Sequence, residues 1–271
     1  MRKPTFVYDA NRPIGVRALA LLLERDWKPS LLLVPAPSRT DVAPQLRSLV
    51  PDVPVLEGKA FRSAAGLERV RATAPDYVLS VHFPYIVPPS VLAIPRIGTL
   101  NLHPAYLPYN RGWHTPSWAI LDDTPYGATL HWMDEGVDTG DIAMRMRVDP
   151  RPDDTAHSLY QRVLEAELEL FEKAIPAMLQ RQLPRIPQAN EGTAHTRKDL
   201  ADRQRLELGE NLPVVDVIRR LQALTTNDWQ EAAYFEIDGR RYRVQVAIRP
   251  DHPQLEKPLR RARPRLVSDV G

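Results

Sequence analysis

Two stretches of the chain carry residue types able to do chemistry together. The first is Asn101-Leu102-His103-Pro104. In a strand, positions 101 and 103 share a face, so an amide and an imidazole project side by side. The second is the acidic loop Met133-Asp134-Glu135-Gly136-Val137-Asp138-Thr139-Gly140-Asp141. Its glycines let the chain turn back and bring a carboxylate to the imidazole. An amide, an imidazole and a carboxylate suit acyl transfer to an amine. The attacking amine makes a tetrahedral centre with a developing oxyanion and an ammonium. Asn101 can donate to the oxyanion. His103 can accept the amine's proton. Asp138 can orient His103 and favour its charged form. No covalent enzyme intermediate is needed, in keeping with a chain that has no cysteine.

Each residue alone has a plainer reading. A lone histidine is more often a satisfied core residue, and Asp138 suits a turn in a glycine-rich loop. The three together favour chemistry. His82, His114 and His131 add imidazoles, but no paired ligand spacing such as HExxH accompanies them, and no metal is expected.

The elements that must position these groups follow from periodicity. Residues 5–8, 31–34, 76–81 and 98–102 read as strands, and 14–25 and 64–74 as helices. Alternation of this kind predicts an α/β fold, a parallel sheet with crossover helices. Open sheets of this class bind ligands at the carboxyl ends of their strands, where Asn101 and His103 fall. The first turn, Asp9-Ala10-Asn11-Arg12-Pro13-Ile14-Gly15, lacks a GxGxxG fingerprint, so a dinucleotide clamp is not supported. A short helix is expected at 115–121. Strands are expected at 126–133 and 142–148, the latter with one buried and one wet face. A long helix runs to about residue 179, capped by Asp153 or Asp154 and kinked or shortened by Pro176. Residues 188–212 are polar and loop-rich. Pro213 opens an amphipathic helix at 214–224. Strands at 232–237 and 242–248 flank Asp238-Gly239, a strong hairpin signal.

The run Asn101-Leu102-His103-Pro104 with Leu107-Pro108, then Gly127-Ala128-Thr129-Leu130-His131 and Asp138-Thr139-Gly140-Asp141-Ile142, resembles the formyltransferase family that uses N10-formyltetrahydrofolate. The resemblance covers roughly residues 75–180 well and the N-terminal strands weakly. It implies a Rossmann-like, mostly parallel sheet with a small C-terminal helix and β-hairpin extension. It also implies a catalytic Asn101, His103 and Asp138. Phe83, Pro84, Tyr85 and Ile86 occupy the place of the family's pterin pocket, and Asp134 and Glu135 the loop facing the pterin ring. The segment from Leu107 to Pro116 is most similar to the sugar-nucleotide subgroup. There Asn110, Arg111 and Trp113 would meet a nucleotide-linked amino sugar, dTDP-linked in that subgroup, with Arg111 at a phosphate and Trp113 on a ring. Glycinamide ribonucleotide formylation, methionyl-tRNA formylation and formyltetrahydrofolate hydrolysis are the alternatives within the family. A folate- or nucleotide-binding sensor is the alternative outside it. Sugar formyltransferases of this kind contribute C-terminal strands to a dimer interface, so a homodimer is expected.

Composition sets the bounds. With 271 residues the chain is long for one domain and short for two full ones. The expected division is a catalytic domain at 1–187, a helix and hairpin subdomain at 188–250 and a flexible tail at 251–271. Lys and Arg exceed Asp and Glu only 36 to 34, which gives no footprint for nucleic acid or an acidic membrane surface. The basic run 257–265 reads as a solvated terminal segment. The N-terminus lacks a signal-peptide core and no apolar run approaches a bilayer span, so a cytoplasmic protein is expected.

Overall fold

The structure, a computed structural model, describes residues 2–39, 42–189 and 191–251. The expected flexible tail lies outside the described residues from 252 onward, and with it the basic run. In chain order the elements are β1 (Phe6–Ala10), α1 (Arg12–Leu23), β2 (Leu31–Val34), α2 (Ala43–Leu49), β3 (Val55–Glu57), α3 (Ala64–Ala72), β4 (Tyr77–Val81), α4 (Pro89–Leu92) and β5 (Gly98–His103). Then follow β6 (Arg111–Gly112), α5 (Thr115–Leu121), β7 (Gly127–Trp132), β8 (Ile142–Arg147), α6 (Ala156–Gln180), β9 (Ala194–His195), α7 (Ala201–Gln204), α8 (Val214–Ala223), β10 (Ala233–Ile237) and β11 (Arg240–Val244).

Seven strands form one sheet in the order β3-β2-β1-β4-β5-β7-β8. The first five are parallel, and β7 joins β5 antiparallel. The order 3-2-1-4-5 is the Rossmann arrangement, so the α/β expectation holds. β1, β2 and β4 are buried along their whole length, as strands covered on both faces must be. On one face Val7, Leu31, Leu33, Val78, Phe61, Val70 and Val91 form a contiguous cluster.

The chain divides into two compact units. One holds residues 1–103, 129–145 and 167–188, and the other 104–128, 146–166 and 189–271. The first contains most of the sheet. In the second, α5 packs on α8, and the Trp118 indole lies flat on His195 at 3.8 Å.

Several local expectations shift. The cap of α6 is Thr155, not Asp153 or Asp154: its Oγ1 accepts from Ser158 N–H, and its own N–H donates to Ser158 Oγ. Asp154 instead accepts from the Arg151 N–H and the Ser158 hydroxyl and pairs with Arg162. Pro176 does not end α6, which runs on to Gln180. The one-wet-face pattern expected for β8 fails at its start, where Ile142 and Ala143 are both buried. The hairpin forms, with Asp238 and Gly239 at φ 49° and 73°, a turn requiring left-handed backbone at both positions. Its second strand stops at Val244 rather than Ile248. The Val246 N–H leaves the ladder and donates to Thr225 Oγ1.

Candidate active site

Asn101 and His103 lie at the end of β5, and the antiparallel register of β7 sets His131 opposite Asn101. His131 is buried. Its Nδ1–H donates to the Trp132 carbonyl at 2.9 Å, which leaves Nε2 as an acceptor. That nitrogen takes a hydrogen from Asn101 Nδ2 at 3.1 Å, and the pair fixes which way the Asn101 amide faces. The same Nδ2 lies 3.5 Å from Asp138 Oδ1.

Asp138 reaches this point from a loop held by main-chain contacts. Its φ is 55°, in the left-handed region that a short polar side chain tolerates. Asp134 Oδ1 accepts from the Gly136 N–H and the Thr139 hydroxyl, which closes the turn. A Cβ on Gly136 would stand 2.0 Å from Thr139 Oγ1, so the turn needs glycine there. The Gln188 amide donates to both the Asp138 and Gly140 carbonyls, at 2.8 and 2.7 Å.

His103 is only 7 % exposed. Its Nε2 is 3.6 Å from Asp138 Oδ2, too far to hydrogen-bond, and makes no hydrogen bond. Burial holds the imidazole below its ordinary pKa; the nearby Asp138 opposes this and His131 adds to it. His103 is therefore neutral at pH 7, with a lone pair available. A second buried pair lies in the same unit. His82, at φ 53° just past β4, meets both oxygens of the fully buried Glu167 at 2.9 and 3.0 Å.

The remaining expected site residues fall into two groups. Phe83 and Tyr85 pack on the apolar cluster with their rings 5.3 Å apart, and Tyr85 Oη accepts from the Ala36 N–H. Pro84 is half-buried, while Ile86 is 75 % exposed and its carbonyl accepts from Arg62. Asp134 and Glu135 are exposed, Asp134 being spent on its turn. In the second unit Asn110 is 1 % exposed, and its side-chain amide donates to Thr124 Oγ1 and the Pro125 carbonyl. Its side chain anchors the loop. Arg111 is half-buried in β6, beside β9. Trp113 is 48 % exposed, with the Arg197 guanidinium 5.5 Å from the ring centre. Trp118 is core.

His131 is the residue that sequence reasoning left out of the site. Its alternation with Thr129 in a strand-like run was the available signal, but the register that pairs it with Asn101 was not.

The chain is similar to known proteins over most of its length. The formyl transferase family matches residues 34–175, and the N-formyltransferase dimerization C-terminal domain matches 199–250. A methionyl-tRNA formyltransferase from Myxococcus xanthus is 32 % identical over 232 residues, 83 % of this chain and 74 % of that one. A dTDP-4-amino-4,6-dideoxyglucose formyltransferase from Mycobacterium tuberculosis is 31 % identical over 178 residues, 66 % of this chain and 75 % of that one. A sugar N-formyltransferase from Shewanella shares the fold, with a TM-score of 0.78 at 19 % identity over 91 % of this chain and 98 % of that one. A formyltransferase from Anoxybacillus kamchatkensis was solved with UDP-4,6-dideoxy-4-formamido-L-AltNAc and tetrahydrofolate. It is 28 % identical, with a TM-score of 0.52 over 70 % of this chain and 98 % of that one.

Proposed function

We infer what this chain transfers, and to what, from one premise: it belongs to the formyl transferase family. It moves a formyl group from N10-formyltetrahydrofolate to the amino group of a nucleotide-linked amino sugar, dTDP-linked. The observation that carries the chemistry is the cluster of Asn101, His131, Asp138 and a neutral His103 whose Nε2 has no hydrogen bond.

The amine's nitrogen bonds to the formyl carbon, and the carbonyl oxygen becomes an oxyanion. Asn101 turns a hydrogen to that oxygen; its 3.5 Å approach to Asp138 is the weak one and the one to give way. His103, neutral through burial, takes the proton that the amine loses. Asp138 then stabilises the imidazolium from 3.6 Å. As the bond from the formyl carbon to N10 breaks, His103 returns the proton to N10. Phe83 and Tyr85 offer aromatic surface to the pterin of the carrier, with Pro84, Ile86, Asp134 and Glu135 around it.

The sugar acceptor rests on the resemblance of residues 107–116, on the dTDP-amino sugar in the name of the Mycobacterium protein and on the UDP-sugar bound in the Anoxybacillus one. Arg111 neutralises a phosphate, Trp113 packs on a ring, and Asn110 holds their loop. The Myxococcus relative favours a second reading, methionyl-tRNA as acceptor. An acceptor panel with N10-formyltetrahydrofolate decides, read as a mass increase. The sugar reading expects formylation of dTDP-amino sugars; formyl on methionyl-tRNA or glycinamide ribonucleotide alone would replace it, and free formate alone would indicate a hydrolase.

Two copies associate through the C-terminal subdomain, which carries the dimerization-domain match. Ile237 and Tyr242 are exposed apolar residues on the hairpin, where Phe235 stacks on Tyr242. An isolated hairpin is marginal in water. Light scattering at micromolar concentration should give a dimer, and a monomer would refute the pairing.

A further inference from the structure

Four neighbouring strands carry polar side chains at one register across the sheet. Asp9 on β1 pairs with Ser80 on β4, Ser80 with Asn101 on β5, and Asn101 with His131 on β7. Residues in register on adjacent strands share a face. With strands ~4.8 Å apart, Asp9 stands about 10 Å from Asn101 on that face. Two residues back, the same face reads Leu31, Val7, Val78 and Thr99, apolar until the last. At the β2 end Leu33 closes the polar row with hydrocarbon.

Asp9 is fully buried, and neither carboxyl oxygen makes a hydrogen bond. The groups about it carry no compensating charge. Leu33 faces it from β2 and Ser80 from β4. Tyr8, before it, donates its hydroxyl to the Gly15 carbonyl, and Asn11, after it, donates its amide to the Arg39 carbonyl. The guanidiniums on this face, Arg39 and Arg62, sit over the Tyr85 ring at 5.7 and 5.9 Å. Among the described residues no ion pair involves Asp9. A charge in such a place is costly. Burial raises the carboxyl from 3.8 to about 7, with the Ser80 hydroxyl working against the rise.

We propose that Asp9 is a pH-dependent brake on the transfer, its charge acting along the polar row on the oxyanion end of the site at Asn101. The inference rests on the formyl-transfer reading. While Asp9 carries its proton, it adds no negative charge to that which Asp138 already places 3.5 Å from Asn101 Nδ2. Once ionised, Asp9 sets a like charge about 10 Å from the oxyanion. At an effective dielectric of ~20 this slows transfer about tenfold. Asp9 touches neither carrier nor acceptor, so its effect falls on kcat and leaves KM alone.

The test compares kcat and KM of the wild-type protein and Asp9→Asn from about pH 5.5 to about pH 9, with melting temperatures across the same range. The wild-type kcat should fall about tenfold as pH rises through the carboxyl's range. Asp9→Asn should stay level and outrun the wild type at the alkaline end. Coincident kcat profiles overturn the proposal, even if Asp9→Asn is the more stable protein at high pH, since a merely structural role would change only melting. Should Asp9→Asn fail to fold, Ser80→Ala serves in its place. Losing the hydroxyl that favours ionisation should move the alkaline fall to higher pH, and an unmoved fall overturns the proposal. No transfer by the wild type at any pH defeats the formyl-transfer reading and this inference with it. Transfer with coincident profiles defeats this inference alone.

Discussion

The carboxyl end of the sheet and the loop at residues 110–113 are both rich in buried or half-buried polar groups, yet they use them oppositely. At the sheet edge, His103 Nε2 and both oxygens of Asp9 are buried without hydrogen bonds, and Asp138 stands 3.6 Å from His103 without bonding it. In the loop, Asn110 donates to Thr124 and Pro125, and its N–H finds Thr193 Oγ1 at 2.8 Å. The backbone of Arg111 donates to Thr193 and that of Trp113 to His195. Unmet hydrogen-bonding capacity is expensive to bury; at His103 it leaves a nitrogen for a reacting partner, and at Asp9 it penalises the charged form. Satisfied capacity marks groups that shape the chain.

Substitutions can break that contrast. Asp138→Asn should lower kcat by ~10²–10⁴, the range of a positioned acid–base group, with the fold kept. Steady-state kinetics showing wild-type turnover would remove Asp138 from the reaction. Asp9→Asn should raise stability near neutral pH. The native carboxyl, at about 7 against 3.8 for an unperturbed one, holds more protons than the unfolded chain between those values. Wild-type stability therefore declines as pH rises across that window and levels off above it, by roughly 4 kcal/mol for the full shift. Denaturant melts of the two proteins should converge at acid pH and separate at neutral pH. If they stay parallel, Asp9 is not buried protonated.

The loop predicts the reverse pattern. Asn110→Ala should cost ~1–3 kcal/mol of stability through the partners it leaves unpaired. A thermal melt unchanged from wild type, with activity lost, would make Asn110 a substrate contact instead of an anchor. Arg111→Ala should raise the acceptor KM by about tenfold at near-constant kcat, the worth of one charge-assisted phosphate contact. A fall in kcat at constant KM would place Arg111 in the chemistry and blur the distinction between the two regions.

What the sequence disclosed depended on how local the determinant was. Asn101 and His103 were legible because a strand's period of two needs no partner to be recognised. The parallel sheet followed from the alternation of elements, and the hairpin turn from Asp238-Gly239. β3, with three residues, and α2, entered through Pro44, are too short for periodicity to register. His131 needed an antiparallel register, a long-range fact. So did the early end of β11, set by Thr225 capturing the Val246 N–H. The anchoring role of Asn110 is likewise invisible locally, because Thr193 lies 83 positions away.

Asp138 is aimed by its backbone, and the Gln188 side chain grips that backbone at two carbonyls, 2.8 and 2.7 Å away. One amide group holds both, so the aim of Asp138 draws on a single side chain fifty positions downstream. At about 1 kcal/mol net for each bond, removing that amide should weaken the hold on the loop by ~2 kcal/mol.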